Sequence, residues 1–551
     1  ELLDLVAIGT IADLVSLTDE NRTFVKMGLQ MIQTGDRIGL DVLLQEAGVK
    51  KEAVSEESIG FTIGPRLNAL GRLGEAAPGV ELMTTFDEEQ ALEIAKYIDQ
   101  QNNERKDIVT TIAKEALDLI DPNAPVHILA KQGWHEGGLG IVAGRIMQET
   151  GKPTIILAID ESGTTAKGSG RSISALNLYE ALNEVREQFT HFGGHHMAAG
   201  MTLPVENIPF VQEHLAHFIE KNQIDMANGQ ELLISESLAV SQATTTFIDQ
   251  LRILAPFGTD NTVPTFVFKE ITPTQIRQIG ADNAHLKFQM NQEGAQLDAI
   301  AFQMGPQADE LAQGTADVAG QLSINEWNGR KKPQLMVTDF AVLGRQLFDF
   351  RGKNNQTKPI PSEATAYLLF DEKNQKFISD PTANIIVWSN QEELVEAVSQ
   401  NQIEQLVFVD CPVEAITVKE IVEATEIQRI YMMFISPEEA YLNGMASREQ
   451  FATLYKFILQ QKEVNLRSQL SKVANYLNIQ EKLLIFMIQV FFDLGFVTIE
   501  SGVLNSIEKP DNRPLTESQV YQQRLKKIKT EEFLLYSDCQ TIQQWLWNEE
   551  D

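Results

Sequence analysis

The chain has 551 residues, of which 43% are hydrophobic and 7% aromatic, so it is too long for one core and predicts about three to five domains. No apolar stretch is long enough to span a membrane, and the only two cysteines, Cys411 and Cys539, lie far apart, which excludes a disulfide framework and a cysteine zinc site. The formal net charge of -32 argues against a phosphate-bearing partner, but salt screens it over roughly 8 Å, so a locally basic groove can still bind DNA.

The amino-terminal element, Leu2 to Ala12, is mostly apolar and ends at Asp13. The chain starts at Glu1 without a methionine or a signal-peptide pattern, so we expect this start to lie inside a domain. A carboxylate at the end of a buried element can bind a divalent cation together with other ligands. The alternative for Asp13 is a helix cap or a surface acid. We expect any site built near Asp13 to be incomplete in this chain.

The next motif, GPRLNALGRL, covers Gly64 to Leu73 and carries Arg66, Asn68 and Arg72 among glycines and a proline. Guanidinium groups near exposed backbone are suited to bind phosphates, and the alternative is a turn with surface arginines. From Asp87 to Leu119 apolar residues recur at helical spacing without glycine or proline. This pattern predicts a long helix that ends before Pro122.

Short strand-like and helix-like runs alternate from Val126 to Leu203 and predict an α/β domain. WHEGGLGIVAGRI begins at Trp134, and its glycine-rich start leads into an apolar helix whose amino end could face an anion. It lacks the second histidine of a zinc-protease helix, which excludes that class. KGSGRSI begins at Lys167 and offers amide, hydroxyl and cationic donors that suit a terminal phosphate. A flexible basic hairpin tip is the alternative.

HFGGHHMAAG, which begins at His191, places His195 and His196 after paired glycines. No cysteine and no cluster of acids completes a metal-ligand set, so phosphate contact is favoured over metal binding. For His196 we expect packing or simple exposure. For His195 the position after two glycines favours a function.

The rest of the chain predicts three further regions. Alternating runs from Leu232 to Gly344 indicate a small β-barrel, and the polar stretch from Asp349 to Pro361 indicates a linker. Buried-strand runs beyond it predict a parallel α/β layer. Helices followed by a hairpin with a Ser-Gly turn, between Glu463 and Val503, predict a winged-helix-like module.

Taken in order, these strings resemble the RecJ family of the DHH phosphoesterases from Glu1 to about Gly344. LLDLVAIGTIADLVSL resembles the family's last catalytic-domain motif, and the later strings resemble its DHHA1 domain and its oligonucleotide-binding (OB) barrel. The resemblance implies an α/β multidomain protein, with the tail matching the low-GC Gram-positive type. The implied domains are a partial DHH domain (1–85), a linking helix (86–122), a DHHA1 domain (123–228), an OB-fold β-barrel (229–345), a carboxy-terminal α/β layer (346–460) and a winged-helix-like module (461–551).

The resemblance also implies residue roles. Asp13, in preference to Asp4, would be a ligand of a two-metal site for Mn²⁺ or Mg²⁺, whose other ligands would precede Glu1. His195 would line the catalytic cleft, and Ser169 and Arg171 would bind the 5' phosphate. Nucleic-acid contacts would come from Arg66, Asn68, Arg72, Lys167, Lys287, Trp327, Arg330 and Lys331, with Phe257, Phe266 and Lys332 as further candidates.

The implied function is a 5'-to-3' exonuclease of single-stranded DNA in repair and recombination. This chain alone is expected to be inactive because the motifs that name the superfamily are absent. Implied partners are single-stranded DNA, single-strand-binding protein and a helicase, in a reducing cytoplasm and without a membrane. For the tail we expect a regulatory or partner-binding role. Two alternatives stay open: a DHH-family phosphoesterase of small oligonucleotides, and a non-catalytic single-strand-binding accessory protein.

Overall fold

The structure, a computed structural model, separates into two compact units, which are described in turn. The described residues are 2–121, 124–224, 226, 231–327, 329–352, 360, 364–380, 383–461, 463–507 and 510–547. The first unit comprises Glu1–Leu238, Gln242–Val267 and Ala319–Pro333, and the second comprises Ala239–Ser241, Phe268–Val318 and Gln334–Asp551. Among the described residues, none of the helices combines the length and the hydropathy that a membrane crossing requires.

The first unit begins with helices that pack around one apolar core, in which Ile59, Ile63 and Ile98 are fully buried. The carboxylate of Asp87 accepts the first free N–H groups of the long helix, which confirms the predicted start of that helix. The helices are α1 (Leu3–Ala12), α2 (Asp19–Thr34), α3 (Ile38–Glu46), α4 (Glu56–Ser58), α5 (Gly64–Leu73), α6 (Ala77–Thr84) and α7 (Glu88–Leu117).

GPRLNALGRL forms helix α5, so the alternative of a turn with surface arginines does not hold. A π-helical segment, Ile59–Ile63, runs directly into α5, and Pro65 occupies the first turn. Proline is tolerated there because its missing N–H would have no partner within the helix anyway. The glycines of this string therefore lie in a helix rather than in an open loop.

The α/β domain that follows confirms the alternation predicted from Val126 to Leu203. One five-stranded sheet has the order β1-β2-β3-β5-β4, with β1 parallel to β2 and the other pairs antiparallel. Its elements are β1 (His127–Gln132), α8 (Leu139–Thr150), β2 (Thr154–Ile159), β3 (Thr165–Arg171), α9 (Leu178–Asn183), β4 (His191–His195), β5 (Ala198–Pro204) and α10 (Ile208–Lys221).

KGSGRSI is mostly strand β3 rather than the predicted loop. β3 pairs on one side with β2 and on the other with β5. A Cβ at Gly168 would lie 2.2 Å from the carbonyl oxygen of Ile156. The glycine is thus needed for close approach of two strands, not for a flexible turn.

A series of strands follows, as predicted for a barrel domain, although three of them are longer than the short runs that were predicted, with 12 to 15 residues. In the first unit β6 pairs in parallel with the start of β7. In the second unit β7, β8 and β9 form an antiparallel meander, and β11 runs parallel to β9. The elements are β6 (Glu236–Ser237), α11 (Thr245–Leu251), β7 (Thr265–Ile279), β8 (His285–Gln292), β9 (Ala295–Ala301), α12 (Ala308–Leu311), β10 (Ala316–Trp327) and β11 (Arg330–Val342).

The second unit continues with the predicted parallel layer, whose strand order is β12-β16-β15-β13-β14. Strand β12 precedes the polar stretch predicted to be a linker, of which residues 353–359 and 361 lie outside the described residues. The elements are β12 (Gln346–Asp349), β13 (Thr365–Leu369), β14 (Asn384–Val387), α13 (Gln391–Gln400), β15 (Gln405–Asp410), α14 (Ile416–Thr425) and β16 (Arg429–Ile435).

The terminal module contains the predicted hairpin: β18 and β19 are joined by Ser501 and Gly502, both with positive φ (52° and 84°), as the tightest hairpin turn requires. β19 also pairs with β17. The elements are α15 (Ala440–Asn443), α16 (Arg448–Gln461), β17 (Glu463–Asn465), α17 (Leu466–Leu477), α18 (Glu481–Asp493), β18 (Val497–Glu500), β19 (Val503–Ser506), α19 (Gln519–Tyr536) and α20 (Cys539–Trp547).

The apolar cores divide the tail differently from the predicted boundary at residue 460. Phe451 and Leu454 of α16 are buried with the terminal module. Leu534 and Ile542, near the end of the chain, are buried with the strands of the parallel layer. Helix α16, on the amino-terminal side of the predicted boundary, therefore packs with the terminal module, and the end of the chain, on its other side, packs with the parallel layer. Cys411 and Cys539 are both free thiols, and burial raises the pKa of Cys411 to about 12.

One buried carboxylate fixes the carboxyl edge of the layer. Asp410 accepts hydrogen bonds from the N–H groups of Phe370 (2.7 Å) and Asp371 (2.9 Å) and from Nδ2 of Asn374 (2.7 Å). It is only 2% exposed, so each of these donors depends on it.

We expect Asp410→Ala to lower the free energy of unfolding of this region by about 3 kcal/mol, because three donors would lose their acceptor in a buried site. Urea unfolding followed by circular dichroism measures the loss. Glu404→Ala, at an exposed position just before the same strand, is the control and should change stability by less than about 0.5 kcal/mol. Equal losses in both variants would contradict the role of Asp410.

Candidate functional site

The end of α1 and the face of α5 enclose a shallow depression. It has a volume of about 350 Å³ and is lined by Ala12, Asp13, Leu14, Asn68 and Arg72. Asp13 is the residue that follows α1; its N–H still donates to the carbonyl of Gly9 at 3.0 Å, and its side chain is exposed. The structure thus brings together three of the predicted site residues.

The chemistry of this depression fits one ligand of a metal site, not a complete site. A carboxylate is a suitable oxygen ligand for Mn²⁺ or Mg²⁺. No group of three His, Cys, Asp or Glu side chains that could hold a metal ion exists in the described part of the chain. Asp13 alone would therefore contribute from this chain.

Asp4, the less favoured metal candidate, has a structural role. Its carboxylate accepts from Arg37 at 2.5 and 3.1 Å, while Arg37 also donates to the carbonyl of Met83 at 2.7 Å. Burial raises the pKa of Asp4, but the hydrogen bonds from Arg37 and Leu5 outweigh it and hold the pKa below its usual value. The pair joins α1 to the end of α6, and the carboxylate is not available to a cation.

Ser169 and Arg171 lie at the amino end of α8. Arg171 Nη1 donates to Ser169 Oγ at 3.0 Å and to the carbonyl of Gly170 at 2.8 Å. A Cβ on Gly140, in the first turn of α8, would lie 3.0 Å from Arg171 Nη2 and 3.1 Å from Ser169 Oγ. The first N–H groups of a helix have no partner within it and carry partial positive charge. A hydroxyl, a guanidinium and a helix amino end therefore meet in one place, which is an arrangement suited to a phosphate.

We call the group formed by Ser169, Arg171 and the start of α8 the anion site. Arg72 connects this anion site to the depression beside Asp13. Its Nη1 lies 3.4 Å from the carbonyl oxygen of Gly137, in the turn that precedes α8. Gly137 has no room for a side chain, because a Cβ there would lie 2.4 Å from the carbonyl oxygen of Arg72. The end of α5 is thus seated against the start of α8.

Arg105, which sequence reasoning missed, is a third guanidinium group on which the charge of Arg72 acts. Burial, and then the charge of Arg72, lower the pKa of Arg105, and the same two causes lower the pKa of Arg171. The Nε of Arg105 is buried without a hydrogen-bond partner in the described part of the chain, and its Nη2 donates to Asn102 at 2.9 Å. Asn102 and Arg105 follow the buried Ile98 at helical spacing on α7. In the sequence, Asn102 and Arg105 are polar at positions where the helical pattern of α7 predicts buried apolar residues. That departure from the pattern could have identified Arg105.

Arg66 points elsewhere. Its Nε and Nη2 each lie 3.0 Å from Asp99 Oδ1 on α7, and its Nη1 donates to the carbonyl of Thr62 at 2.9 Å. This pair packs α5 against α7 and neutralises the charge that a phosphate contact would use. Its contact with nucleic acid stays a prediction without geometric support.

His195 and Arg171 are placed on the same face of the sheet. Both residues stand opposite Ala198 of β5, one on each side, so they are about 10 Å apart at the same level. His195 is exposed, and its Nδ1 lies 3.4 Å from the N–H of Met197. The ring of His196 is tied to the carbonyl of Ser174 at 3.0 Å. His195 is therefore the more available of the two.

Lys167 is exposed on β3, the central strand of the sheet, and faces the same side as Ser169 and Arg171. Its ammonium group forms an ion pair with Glu136, in the turn before α8. A DNA strand that contacts Lys167 would have to compete with Glu136, and an exposed pair of this kind is weak.

The predicted contacts of the barrel domain lie in different environments. Phe266 is 4% exposed and packs against Phe247 with ring centroids 5.8 Å apart, so it is a core residue. The N–H of Phe257 donates to Glu56 at 2.9 Å. Arg330 and Lys332 are exposed, and Lys331 lies 3.6 Å from Glu326. Lys287 is half-buried on β8, and the side chain of Trp327 lies outside the described residues.

Models of three protein families match the chain in order. The "DHHA1 domain" model matches residues 123–221, the "RecJ OB domain" model residues 234–339, and the "Single-strand DNA-specific exonuclease, C terminal domain" model residues 346–546. The DHHA1 and OB domains predicted from the sequence are therefore confirmed.

Proteins named "Single-stranded-DNA-specific exonuclease RecJ" are similar to the chain. That of Bacillus subtilis (strain 168) is 36% identical over 565 residues, covering 99% of this chain and 70% of that protein. That of Escherichia coli (strain K12) is 32% identical over 353 residues, covering 61% of this chain and 60% of that protein.

Two solved structures share the fold. RecJ of Thermus thermophilus in complex with Mg²⁺ has a TM-score of 0.55 at 23% identity, covering 88% of this chain and 72% of that one. Its complex with Mn²⁺ has the same TM-score of 0.55 at 20% identity, covering 96% and 69%. With more than a third of its residues identical to the Bacillus protein over nearly its whole length, the chain belongs to the RecJ family of single-stranded-DNA-specific exonucleases.

Proposed function

We propose that the protein of which these 551 residues are part hydrolyses single-stranded DNA from its 5' end and releases mononucleotides, in DNA repair and recombination. The observation that carries the proposal is that Arg171 and Ser169 meet at the start of α8, while Arg72 lies against the turn before α8 and lines the depression at Asp13. Like charges held together in a partly buried place are stabilised by an anionic ligand. A terminal phosphate supplies that anion.

In this proposal the anion site sets which end of the strand enters. Arg171, Ser169 and the amides of α8 bind the 5' phosphate, and a hydroxyl end would leave these donors unpaired. Arg72 and Asn68 hold the backbone between the 5' phosphate and Asp13. His195 lies on the sheet face that the first nucleotide would cover, and its exposed ring can donate to a phosphate oxygen or a leaving group.

Asp13 would be one ligand of a two-metal site for Mn²⁺ or Mg²⁺. When bound, such cations lower the pKa of water and neutralise charge on the phosphodiester. The role of this chain is to hold the scissile phosphate at a fixed distance from the bound 5' end. Each hydrolysis event therefore removes one nucleotide.

The OB domain would bind the strand beyond the site through backbone charge and stacking. Exposed Arg330, Lys331 and Lys332 at the start of β11 are its candidate contacts, together with Lys287 and Trp327. We also propose a cytoplasmic location, and a helicase and single-strand-binding protein as partners, since an enzyme of this specificity depends on exposed single strands.

Arg171→Ala should weaken binding of a 5'-phosphorylated oligonucleotide about tenfold or more, because a charge-assisted contact to the phosphate is lost. Binding of the same oligonucleotide with a 5'-hydroxyl should weaken less than about threefold. Fluorescence anisotropy on the 551-residue chain measures both. The control is Arg145→Ala, an exposed arginine on helix α8, against whose first turn Arg171 lies. If both oligonucleotides lose affinity equally, Arg171 does not select the end.

Gly140→Ala should weaken binding of the 5'-phosphorylated oligonucleotide about threefold, because the new methyl group pushes the Arg171 guanidinium away from its position. Gly144→Ala is the matched control on the same helix, since its Cβ would be 3.9 Å from Arg171 Cγ, an ordinary contact. Both substitutions favour the helix itself, so thermal stability should not fall. Equal affinities of the two variants would contradict the close packing at Gly140.

Asp13→Asn in the complete protein should reduce turnover about a hundredfold or more, because an amide binds a divalent cation far more weakly than a carboxylate. Affinity for single-stranded DNA without metal should stay within about twofold, since Asp13 makes no contact with the anion site. Digestion of end-labelled DNA measures the first and anisotropy the second. Glu20→Gln, an exposed acid on α2, is the control. An active Asp13→Asn enzyme would remove this residue from the metal site.

A further inference from the structure

A large cavity lies at the carboxyl edge of the parallel layer in the second unit, apart from the proposed nuclease site. Its volume is about 740 Å³, and its walls come from the segments after β13, β15 and β16 and from helices α18 and α19. Sites for small molecules in proteins are commonly about 300–1,000 Å³. The cavity has the size of a small-molecule site.

The cavity lies where the chain changes direction across the sheet. β13 is followed by β14 on one side, while β15 lies on the other side of β13 and is followed by β16. The segments that leave β13 and β15 therefore diverge at the carboxyl edge. In open parallel sheets this divergence creates the crevice in which ligands bind.

The floor of the cavity is held in place before any ligand arrives. The buried Asp410, at the end of β15, fixes the segment after β13 through the three hydrogen bonds described above. Asp371 is engaged in the same way, since its carboxylate accepts from the N–H of Lys373 at 3.0 Å. Two of the acidic side chains that line the cavity are thus committed to the backbone.

The cations on the α19 wall are not neutralised by ion pairs. Arg524 donates from Nε (3.1 Å) and Nη2 (2.9 Å) to the carbonyl of Gly444, and its guanidinium lies 4.6 Å from the ring centre of Phe486. Lys527, one turn further along, donates to the carbonyl of Cys411 at 2.6 Å. Among the described residues, neither cation forms an ion pair with a carboxylate.

The balance of the remaining charges favours an anion. Arg524 is half-buried, and burial lowers its pKa while the nearby Glu438 and Glu531 oppose this effect. The opposite wall adds the exposed Lys373 and Lys376. The cavity is thus lined by four cations, namely Arg524, Lys527, Lys373 and Lys376. Of the four lining carboxylates, Asp371 and Asp410 accept from the backbone N–H groups described above, which leaves Glu372 and Glu438.

We propose that this cavity binds a nucleoside phosphate. Lys527, Arg524 and Lys373 supply the donors for the phosphate. The half-buried ring of Phe370 and the amides of Gln489 and Gln523 supply a surface for the base. A bare phosphate would leave most of the volume empty. Because the walls come from both the parallel layer and the terminal module, an occupied cavity would hold the two together.

Isothermal titration of the 551-residue chain with dAMP tests the proposal. The titration is repeated in the Arg171→Ala background, so that the proposed 5'-phosphate site does not contribute and nuclease activity is not needed. Saturable binding at one site should persist there. Inorganic phosphate and adenosine should each bind at least about tenfold more weakly than dAMP, because each makes only part of the contacts.

Lys527→Gln should weaken dAMP binding about tenfold, because a charged donor to the phosphate is lost. The matched control is the neighbouring Lys526→Gln: Lys526 pairs with Glu414 at 2.6 Å and does not line the cavity. Lys373→Gln, on an exposed segment where folding is not at risk, should weaken binding about threefold.

Three outcomes would overturn the proposal. The first is no saturable binding in the Arg171→Ala background. The second is an equal loss of affinity in Lys527→Gln and Lys526→Gln, which would indicate attraction by overall charge only. The third is phosphate binding as tight as dAMP binding, which would exclude recognition of the nucleoside. If Lys527→Gln unfolds at a lower temperature, Lys373→Gln decides the case.

Discussion

The first unit holds the guanidinium group of Arg72 close enough to those of Arg105 and Arg171 for its charge to act on both. Arg72, Arg105 and Arg171 come from α5, α7 and β3, so their approach requires the end of α5 to be seated against Gly137 and β3 to pass the first turn of α8 at Gly140. Both seats exist because a glycine leaves space where a Cβ would collide. The mutual repulsion is the cost of the arrangement, and an anion near these groups offsets it. The proposed affinity for a phosphate would in this way depend on the packing of the helices as well as on the side chains.

The chemistry of this site could be predicted from the sequence more readily than its conformation. Ser169 and Arg171 were candidates because hydroxyl, amide and cationic donors occur within a few residues, and that composition is local. The backbone was predicted to be a loop because glycines usually indicate one. In the structure the same glycines allow β2, β3 and β5 to approach closely, which depends on strands distant in sequence. Arg105 was not predicted for a related reason. Its place near Arg72 depends on tertiary packing, and no local motif on α7 indicates it. Arg66 is the reverse case, a motif residue whose charge is taken up by Asp99.

The tail shows the same division between local and distant information. The buried strands and the Ser501-Gly502 hairpin follow from apolar runs and turn chemistry, and the sequence predicted both. The cavity beside Asp410 could not be predicted, because Phe370, Ser436, Phe486 and Arg524 meet only after the strands take their order in the sheet. Strand order is decided by tertiary packing and leaves no local pattern in the sequence. The predicted boundary at residue 460 failed on this point, since helices on either side of it pack into the neighbouring core.

Helix α19 links the parallel layer to the terminal module, because its two ends pack into different cores. Val520 and Tyr521 near its start pack into the core of the terminal module, and Phe533 and Leu534 near its end pack against the parallel layer. A helix of this length spans about 27 Å at 1.5 Å per residue, so it acts as a stiff strut with one end anchored in each core. A hinge motion between the parallel layer and the terminal module would have to break helix α19 or pull one of its ends out of its core. A cut between the parallel layer and the terminal module, near residue 460, would therefore remove buried side chains from the cores of both.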